Sequence, residues 1–361
     1  MYRRIIYPVL QRFDAEQTHN YALNLVRLVE AAPWLRKLLY RVLYVDDPRL
    51  SVQVWGIHFA NPLGLAAGLD KNAVAVETWG ALGFGHVEVG TVTPVAQPGN
   101  SQPRLFRLPR DQALINRMGF PSAGAPVIVE RLVRLSTQRP VVGVNIGANK
   151  ASVEQNRAVE DYVQALTYLA PHADYLTINI SSPNTARLRA LQGKAALTAL
   201  IAEAIARRDE LPIRKPLLLK IAPDLTFSEI DDIITVCLAH GVDGLIATNT
   251  TIARPATLRS VSQHADGGLS GWPLRDRSTE IIRYIYRSTA GQLPIIGVGG
   301  VFNAADAWAK LAAGATLVQV YTGFVYEGPL MAYRINRGLG QLLQQHDFAS
   351  LVQVVGSDIP L

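Results

Sequence analysis

Eight short apolar runs, recurring about 36 residues apart, constrain this chain more than any other feature of it. They are Leu63–Ala67, His86–Gly90, Val141–Val144, Tyr175–Ile178, Leu217–Leu219, Gly244–Ala247, Ile295–Val298 and Leu317–Val320, with longer helical patterns between them. Apolar strands alternating with helices indicate βα units on a parallel sheet, and eight is the number that closes a (β/α)8 barrel. Each run is followed by polar residues or glycine: Asp70-Lys71, Thr91, Asn145, Asn179, Lys220, Thr248-Asn249-Thr250, Gly299-Gly300 and Tyr321-Thr322. A parallel barrel gathers all eight strand ends at one face, where barrel active sites lie. A doubly wound open sheet would also place ligands at strand ends, but it needs no eighth strand. The expected fold is therefore a TIM barrel.

Three stretches stand outside the repeat. Leu50–Ala60 alternates around Trp55-Gly56 and reads as a small β-hairpin closing the barrel bottom. The gaps Val92–Arg139, rich in Pro and Arg, and Arg254–Gly271 read as excursions over the barrel mouth. Before the barrel, Met1 to Leu43 mixes apolar residues with Arg3, Arg4, Arg12, Arg27, Arg36, Lys37 and Arg41. Leu23, Val26, Arg27 and Glu30, then Leu35, Leu38, Leu39 and Val42, follow three- and four-residue steps, so two short amphipathic helices are expected, parted near Ala32-Pro33. No run reaches the roughly 18 residues a membrane span needs, and no signal-peptide pattern is present. Such a pair fits a membrane interface or an ordinary helical cap on the domain. The expected division is residues 1–45 as this helical segment and 46–361 as the barrel.

The single cysteine, Cys237, sits in an apolar helical pattern and reads as core, which leaves no disulfide, iron–sulfur or cysteine-zinc chemistry within the chain. A net charge of +6 allows attraction to anionic lipid, nucleic acid or acidic substrates, and its location must decide among them. Gly299-Gly300 and Tyr321-Thr322-Gly323 follow the last two strands, where barrel loops often hold phosphate, with Gly268–Gly271 as a further flexible stretch. A tight strand-to-helix turn would use the same glycines. Lys220 ends an apolar run, so it needs either an internal partner such as Asp224 or an anionic ligand. A reduced flavin is one such ligand.

The order and content of several motifs then become specific. Asn61–Lys71, Glu88–Thr91, Ile115–Phe120, Asn179–Thr185, Lys220–Leu225, Ala247–Thr251 and Gly267–Gly271 together resemble the dihydroorotate dehydrogenases, in that family's order, over roughly residues 50–330. The resemblance implies oxidation of dihydroorotate to orotate in pyrimidine biosynthesis, with bound flavin mononucleotide (FMN). It implies flavin contacts at Ala67, Gly68, Leu69, Asp70, Lys71, Thr91, Asn145, Asn179, Lys220, Thr248, Gly271, Gly300, Tyr321 and Thr322. Substrate contacts would fall on Lys71, Asn116, Arg117, Met118, Gly119, Phe120, Asn179, Asn184, Asn249 and Thr250. Asparagines suit a ring with N–H donors and carbonyl acceptors. Ser182 would take the C5 proton, passing its own onward through Thr185 and a water.

Serine at the base position, where soluble members carry cysteine, together with the basic N-terminal segment, resembles the membrane-associated class 2 branch, in which a quinone, ubiquinone or menaquinone, reoxidises the flavin. His19, Arg107 and Tyr321 would line the quinone path. The branch implies a monomer peripheral to the cytoplasmic side of the cell membrane, or to the inner mitochondrial membrane in a eukaryote, with no nucleic-acid partner and no metal. Ala186-Arg187 departs from the Pro-Gly that many members of this branch carry. A barrel that reduces uridine in tRNA would suit the basic charge, but the cysteine acid and RNA-binding domain expected of it are not visible.

Overall fold

The structure, a computed structural model, describes residues 2–359; Met1, the first residue of the expected N-terminal segment, lies outside them. Eight parallel strands form a closed barrel: β3 (Leu63–Leu65), β4 (His86–Val92), β7 (Val141–Ile146), β8 (Tyr175–Asn179), β9 (Leu217–Ile221), β10 (Gly244–Ala247), β12 (Ile295–Val298) and β13 (Leu317–Val320). β13 pairs with β3, and Gln319 lies opposite Gly64 to complete the ring. Apart from the half-buried Val141 at the start of β7, the strands are buried throughout, as expected of a sheet covered by helices on its outer surface.

Several strands run further than the apolar pattern predicts. Thr91, Asn145, Asn179 and Lys220 were expected just past their strands, yet each is a strand residue, and Asn179 lies opposite Lys220 in the β8–β9 ladder. The site's polar groups are thus fixed by backbone pairing rather than carried on loops.

Below the barrel, β1 (Val52–Val54) and β2 (Ile57–Phe59) form the expected hairpin. Phe59 is fully buried against the ring of His86, and Trp55 Nε1 donates to the Asp243 carbonyl at 2.7 Å, which closes that end. The two long excursions hold a structure the sequence did not announce. β5 (Leu105–Leu108), β6 (Ala113–Asn116) and β11 (Gly268–Gly271) form an antiparallel sheet over the mouth, with Leu108, Ile115, Leu258 and Leu269 as its own small core.

The N-terminal segment forms helices Ala15–Glu30 and Pro33–Leu43, preceded by a short helical stretch from Tyr2 to Leu10. Asp14 caps the first, accepting from the backbone N–H of Glu16 and Gln17. Pro33 starts the second, where its missing N–H costs nothing. Glu30 caps a third helix, Val76–Ala81, by accepting from the N–H of Glu77 and Thr78, and so fastens the segment to the barrel. The periodic apolar residues divide between two faces. Leu23, Val26 and Leu39 pack against the core, whereas Leu38 and Val42, with Leu25, Leu28 and Trp34, face outward.

Candidate active site

A cleft at the strand C-terminal face gathers residues from seven of the eight barrel strand ends, all but that of β7, and from the mouth sheet. Of the expected flavin contacts, Ala67, Gly68, Lys71, Thr91, Asn179, Lys220, Thr248, Gly271, Gly300, Tyr321 and Thr322 line it. Of the expected substrate contacts, Asn116, Met118, Gly119, Phe120, Asn184, Asn249 and Thr250 line it as well, and so does Ser182.

A chain of hydrogen bonds fixes the asparagines. Thr91 Oγ1 donates to Asn145 Oδ1 at 2.6 Å, and Asn179 Nδ2 donates to the same two oxygens at 3.0 Å each. Asn249 Nδ2 donates to Asn179 Oδ1 (3.2 Å) and Ser181 Oγ (3.0 Å), while Asn184 Nδ2 donates to Asn116 Oδ1 (3.1 Å). Three buried oxygens on cleft residues, Asn184 Oδ1, Thr250 Oγ1 and Gln319 Oε1, have no hydrogen-bond partner among the described residues. Buried polar atoms are rarely left so, and a polar ligand in the cleft would give those of Asn184 and Thr250 their partners. Ser182 is 5% exposed; its Oγ accepts from the Asn184 N–H at 3.2 Å.

Beneath the cleft lies a fully buried carboxylate, Glu88. It accepts from Asn145 Nδ2 at 2.8 Å, Gln319 Nε2 at 3.0 Å and the Tyr175 hydroxyl at 3.2 Å. Lys220 is 5% exposed and has no ion pair among the described residues; Asp224 pairs instead with Arg189 at 2.8 Å. Burial lowers the Lys220 pKa, and the charge of Glu88 opposes that shift. A cation facing a cleft with no direct ion pair, and only the charge of Glu88 opposing it from below, suits a ligand that becomes negative there.

The glycine-rich edge is shaped for close approach. Gly300 has φ +70, and a Cβ there would stand 2.3 Å from the Cβ of Arg275. Ser270 and Thr322 share a 2.8 Å hydrogen bond beside it. Together with the neighbouring backbone N–H groups, these residues fit a phosphate group.

On the N-terminal side, Lys71 Nζ donates to the Gly68 carbonyl at 2.6 Å. Desolvation lowers its pKa to about 8, with the Glu16 carboxylate opposing and the Arg104 cation adding to the shift. His19 faces Lys71, and desolvation followed by repulsion from that lysine lowers its pKa to about 3, so it is neutral. Burial raises the Tyr321 hydroxyl to about 12. Arg104 grips Glu16 through Nε and Nη2, with the shortest contact at 2.8 Å, and ties the Ala15–Glu30 helix to the mouth.

Other expected residues lie elsewhere. Leu69 is core, and Asp70 is fully buried below the cleft, accepting from the N–H of Val74 and Ala75 and from Trp79 Nε1. Asn145 sits one layer down, between Thr91 and Glu88. Arg117 turns outward to the Pro103 carbonyl. Thr185 is buried outside the cleft lining, its carbonyl accepting from the Leu188 N–H. Arg107 Nη1 donates to the Phe13 carbonyl at 2.7 Å, bridging β5 to the N-terminal helices rather than lining the cleft. Sequence reasoning passed over Gln319 and the role of Glu88; a polar residue inside an apolar strand run was the available signal. Nothing in the sequence marked Glu16 as the partner of Arg104.

The sequence profile of the dihydroorotate dehydrogenases matches residues 49–343. The chain belongs to that family. A relative from Roseiflexus castenholzii named "Dihydroorotate dehydrogenase (quinone)" is 49% identical over 358 residues, covering 99% of this chain and 97% of its own. A relative of the same name from Deinococcus deserti is 47% identical, covering 99% of this chain and all of its own. A ligand-free DHODH from Eimeria tenella superposes with a TM-score of 0.87 at 42% identity, covering 95% of this chain and 99% of its own. The same parasite's enzyme in complex with ferulenol gives 0.86 over 94% and 96%. These near-full-length matches include the N-terminal helices and place the chain on the quinone-dependent branch of a flavin-dependent dehydrogenase family.

Proposed function

We propose that this protein oxidises dihydroorotate to orotate on bound FMN and delivers the electrons to a membrane quinone. The observation that carries the reading is a single cleft in which Ser182, two unpartnered ligand-seeking oxygens on Asn184 and Thr250, an unpaired Lys220 and a glycine-rich phosphate edge meet. Gly271, Gly300 and Thr322 would hold the phosphate, and Ala67, Gly68, Thr91, Asn179, Lys220, Thr248 and Tyr321 the ring system. Asn116, Asn184, Asn249 and Thr250 would hold the pyrimidine ring, with Lys71 offering a positive charge. FMN bound there would supply the hydride acceptor for C6.

Ser182 takes the C5 proton as that hydride departs, and the C5–C6 double bond of orotate forms. Since a serine hydroxyl is a weak base, its own proton must leave in the same step. Thr185 and a water are the proposed relay. Lys220, 5% exposed on the cleft wall, would stabilise negative charge on a reduced flavin, an effect strengthened where water is excluded.

Residues up to about 45 form the proposed membrane-facing segment. In Met1–Leu43, seven Lys and Arg stand against three Asp and Glu, and the outer face exposes Leu25, Leu28, Trp34, Leu38 and Val42. No helix among the described residues is long and apolar enough to cross a membrane; the proposed attachment is through the exposed apolar face of these helices. Quinone enters past His19 toward Tyr321, with Arg107 holding the outer helices to β5.

The test is anaerobic. Purified protein should be yellow, bleach with dihydroorotate, and regain colour with a ubiquinone or menaquinone analogue. Recovery with NAD or fumarate but not quinone would overturn the acceptor, and a colourless protein that binds no FMN would overturn the whole reading.

A further inference from the structure

The loop that carries Ser182 holds its base weakly through its own contacts, yet it is gripped from behind. Arg189, seven residues on, spends all three of its donor directions on three different strand-end loops. Nε donates to the Ser181 carbonyl at 3.0 Å, the carbonyl of the peptide that leads into Ser182. Nη2 donates to the Thr250 carbonyl at 3.0 Å, in the loop after β10. Nη1 pairs with Asp224 Oδ2 at 2.8 Å, in the loop after β9. Asp224 in turn accepts from the Thr251 hydroxyl and from the Ile252 N–H at 3.2 Å, so it holds the β10 loop a second time.

We propose that Arg189 is a positioning residue that locks the Ser182 loop to the Asn249-Thr250 loop, so that substrate seated on one is presented to the base on the other. The inference rests on Ser182 being the base. A guanidinium is a planar fork whose donors point in fixed directions, so its three acceptors cannot drift independently. The coupling runs between the two halves of one reaction geometry. Asn249 and Thr250 reach the ring, and Ser182 must meet the C5 proton of that same ring. Displacement of a reacting group by about 1 Å costs roughly 100-fold in rate, so a loop free by that much would lose its function without losing its fold. A lysine at 189 could reach one acceptor but not three. Aspartate at 224 keeps the fork oriented, because without it Nη1 would be drawn toward solvent.

Arg189→Ala, Arg189→Lys and Asp224→Asn, each as the FMN-loaded full chain, test this beside Ser182→Ala. Stopped-flow bleaching by dihydroorotate would be followed with hydrogen or deuterium at C5 and at C6, and orotate affinity read from the flavin spectral shift. The expected result is bleaching slowed about 100-fold in Arg189→Ala and about tenfold or more in Arg189→Lys, with a smaller loss in Asp224→Asn. The C5 isotope effect should grow relative to that at C6, because a misplaced base makes C5–H cleavage the harder event. Orotate affinity should move by less than about threefold. Unchanged bleaching, equal growth of both isotope effects, or loss of flavin and orotate binding in Arg189→Lys and Asp224→Asn alike would overturn the positioning role. Ser182→Ala bleaching at the normal rate would overturn the base reading and this inference with it, whereas slow Ser182→Ala beside normal Arg189→Ala overturns the inference alone.

Discussion

The barrel mouth and the N-terminal helices solve opposite problems. In the mouth, polar groups are buried and satisfied by one another: Thr91, Asn145, Asn179, Asn249 and Glu88 form one connected network, with unpartnered atoms left where a ligand would sit. In the helices it is the apolar groups that lack partners, with Leu25 and Leu28 66% and 68% exposed and Trp34 70% exposed. Water would normally penalise such a surface, and patches of this kind mark sites of association. The lesson is that rigidity and exposure are separated in space. A site that must hold atoms within fractions of an ångström sits on paired strands, and the exposed apolar surface proposed to meet a membrane sits on helices fastened at a few points, among them Glu30 on the Val76–Ala81 helix and Glu16 on Arg104.

The sharpest way to break that comparison is to damage each region and ask whether the other notices. Ser182→Ala should slow flavin bleaching by about 100- to 10,000-fold, the range for loss of a general base, while leaving vesicle binding unchanged. Next in size, Leu25→Asp combined with Leu28→Asp should weaken partition onto phospholipid vesicles by about 100-fold or more, since each leucine loses roughly 1.5–3 kcal/mol of apolar burial. Bleaching by dihydroorotate should stay normal in that variant. A matching loss of bleaching would show that the two regions are not separable.

A third effect probes the floor of the barrel. His86 is fully buried with both ring nitrogens unpartnered, and desolvation lowers its pKa to about 3 from the ordinary 6.5. Between pH 6.5 and 3 the unfolded chain therefore takes up a proton that the folded chain refuses. Stability is complete above that window and is lost on acidification, by up to about 1.4 kcal/mol per pH unit from this group. His86→Leu should flatten the fall of the melting temperature between pH 6.5 and 4.5; equal slopes in both proteins would remove His86 from the account.

The smallest effect concerns Arg187, which holds φ +62, a left-handed conformation that glycine adopts at less cost. The chain keeps the turn and accepts the strain, so Arg187→Gly should relieve about 1 kcal/mol of it, in part offset by a more flexible unfolded chain. Calorimetry should show a slight rise in melting temperature. A marked fall would mean that the arginine side chain holds the loop.

Much of this was legible because period and position carry physical meaning. The spacing of apolar runs specified the barrel, and the residue after each run marked the face where the cleft lies. The mouth sheet was not legible, because β5, β6 and β11 are four residues each and lie among prolines and glycines that read as loop. Asp70 and Asn145 show a limit of a different kind. Motif resemblance cannot tell a side chain that meets a ligand from one that holds the backbone behind it, and both are buried beneath the cleft surface. Arg189 escaped notice because an arginine in a loop is unremarkable until its three acceptors are known to belong to the loops after three separate strands.

The hairpin beneath the barrel has a consequence for traffic. With Phe59 and Trp55 packed across the lower end, the cleft opens at the strand C-terminal rim, and a ligand of the cleft enters across it. A water-soluble donor and a lipid-soluble acceptor would then approach from neighbouring stretches of one opening, one from the aqueous side and one from the lipid side. Exchange between them becomes a matter of which visitor holds the threshold, and the redox group itself can stay in its seat throughout.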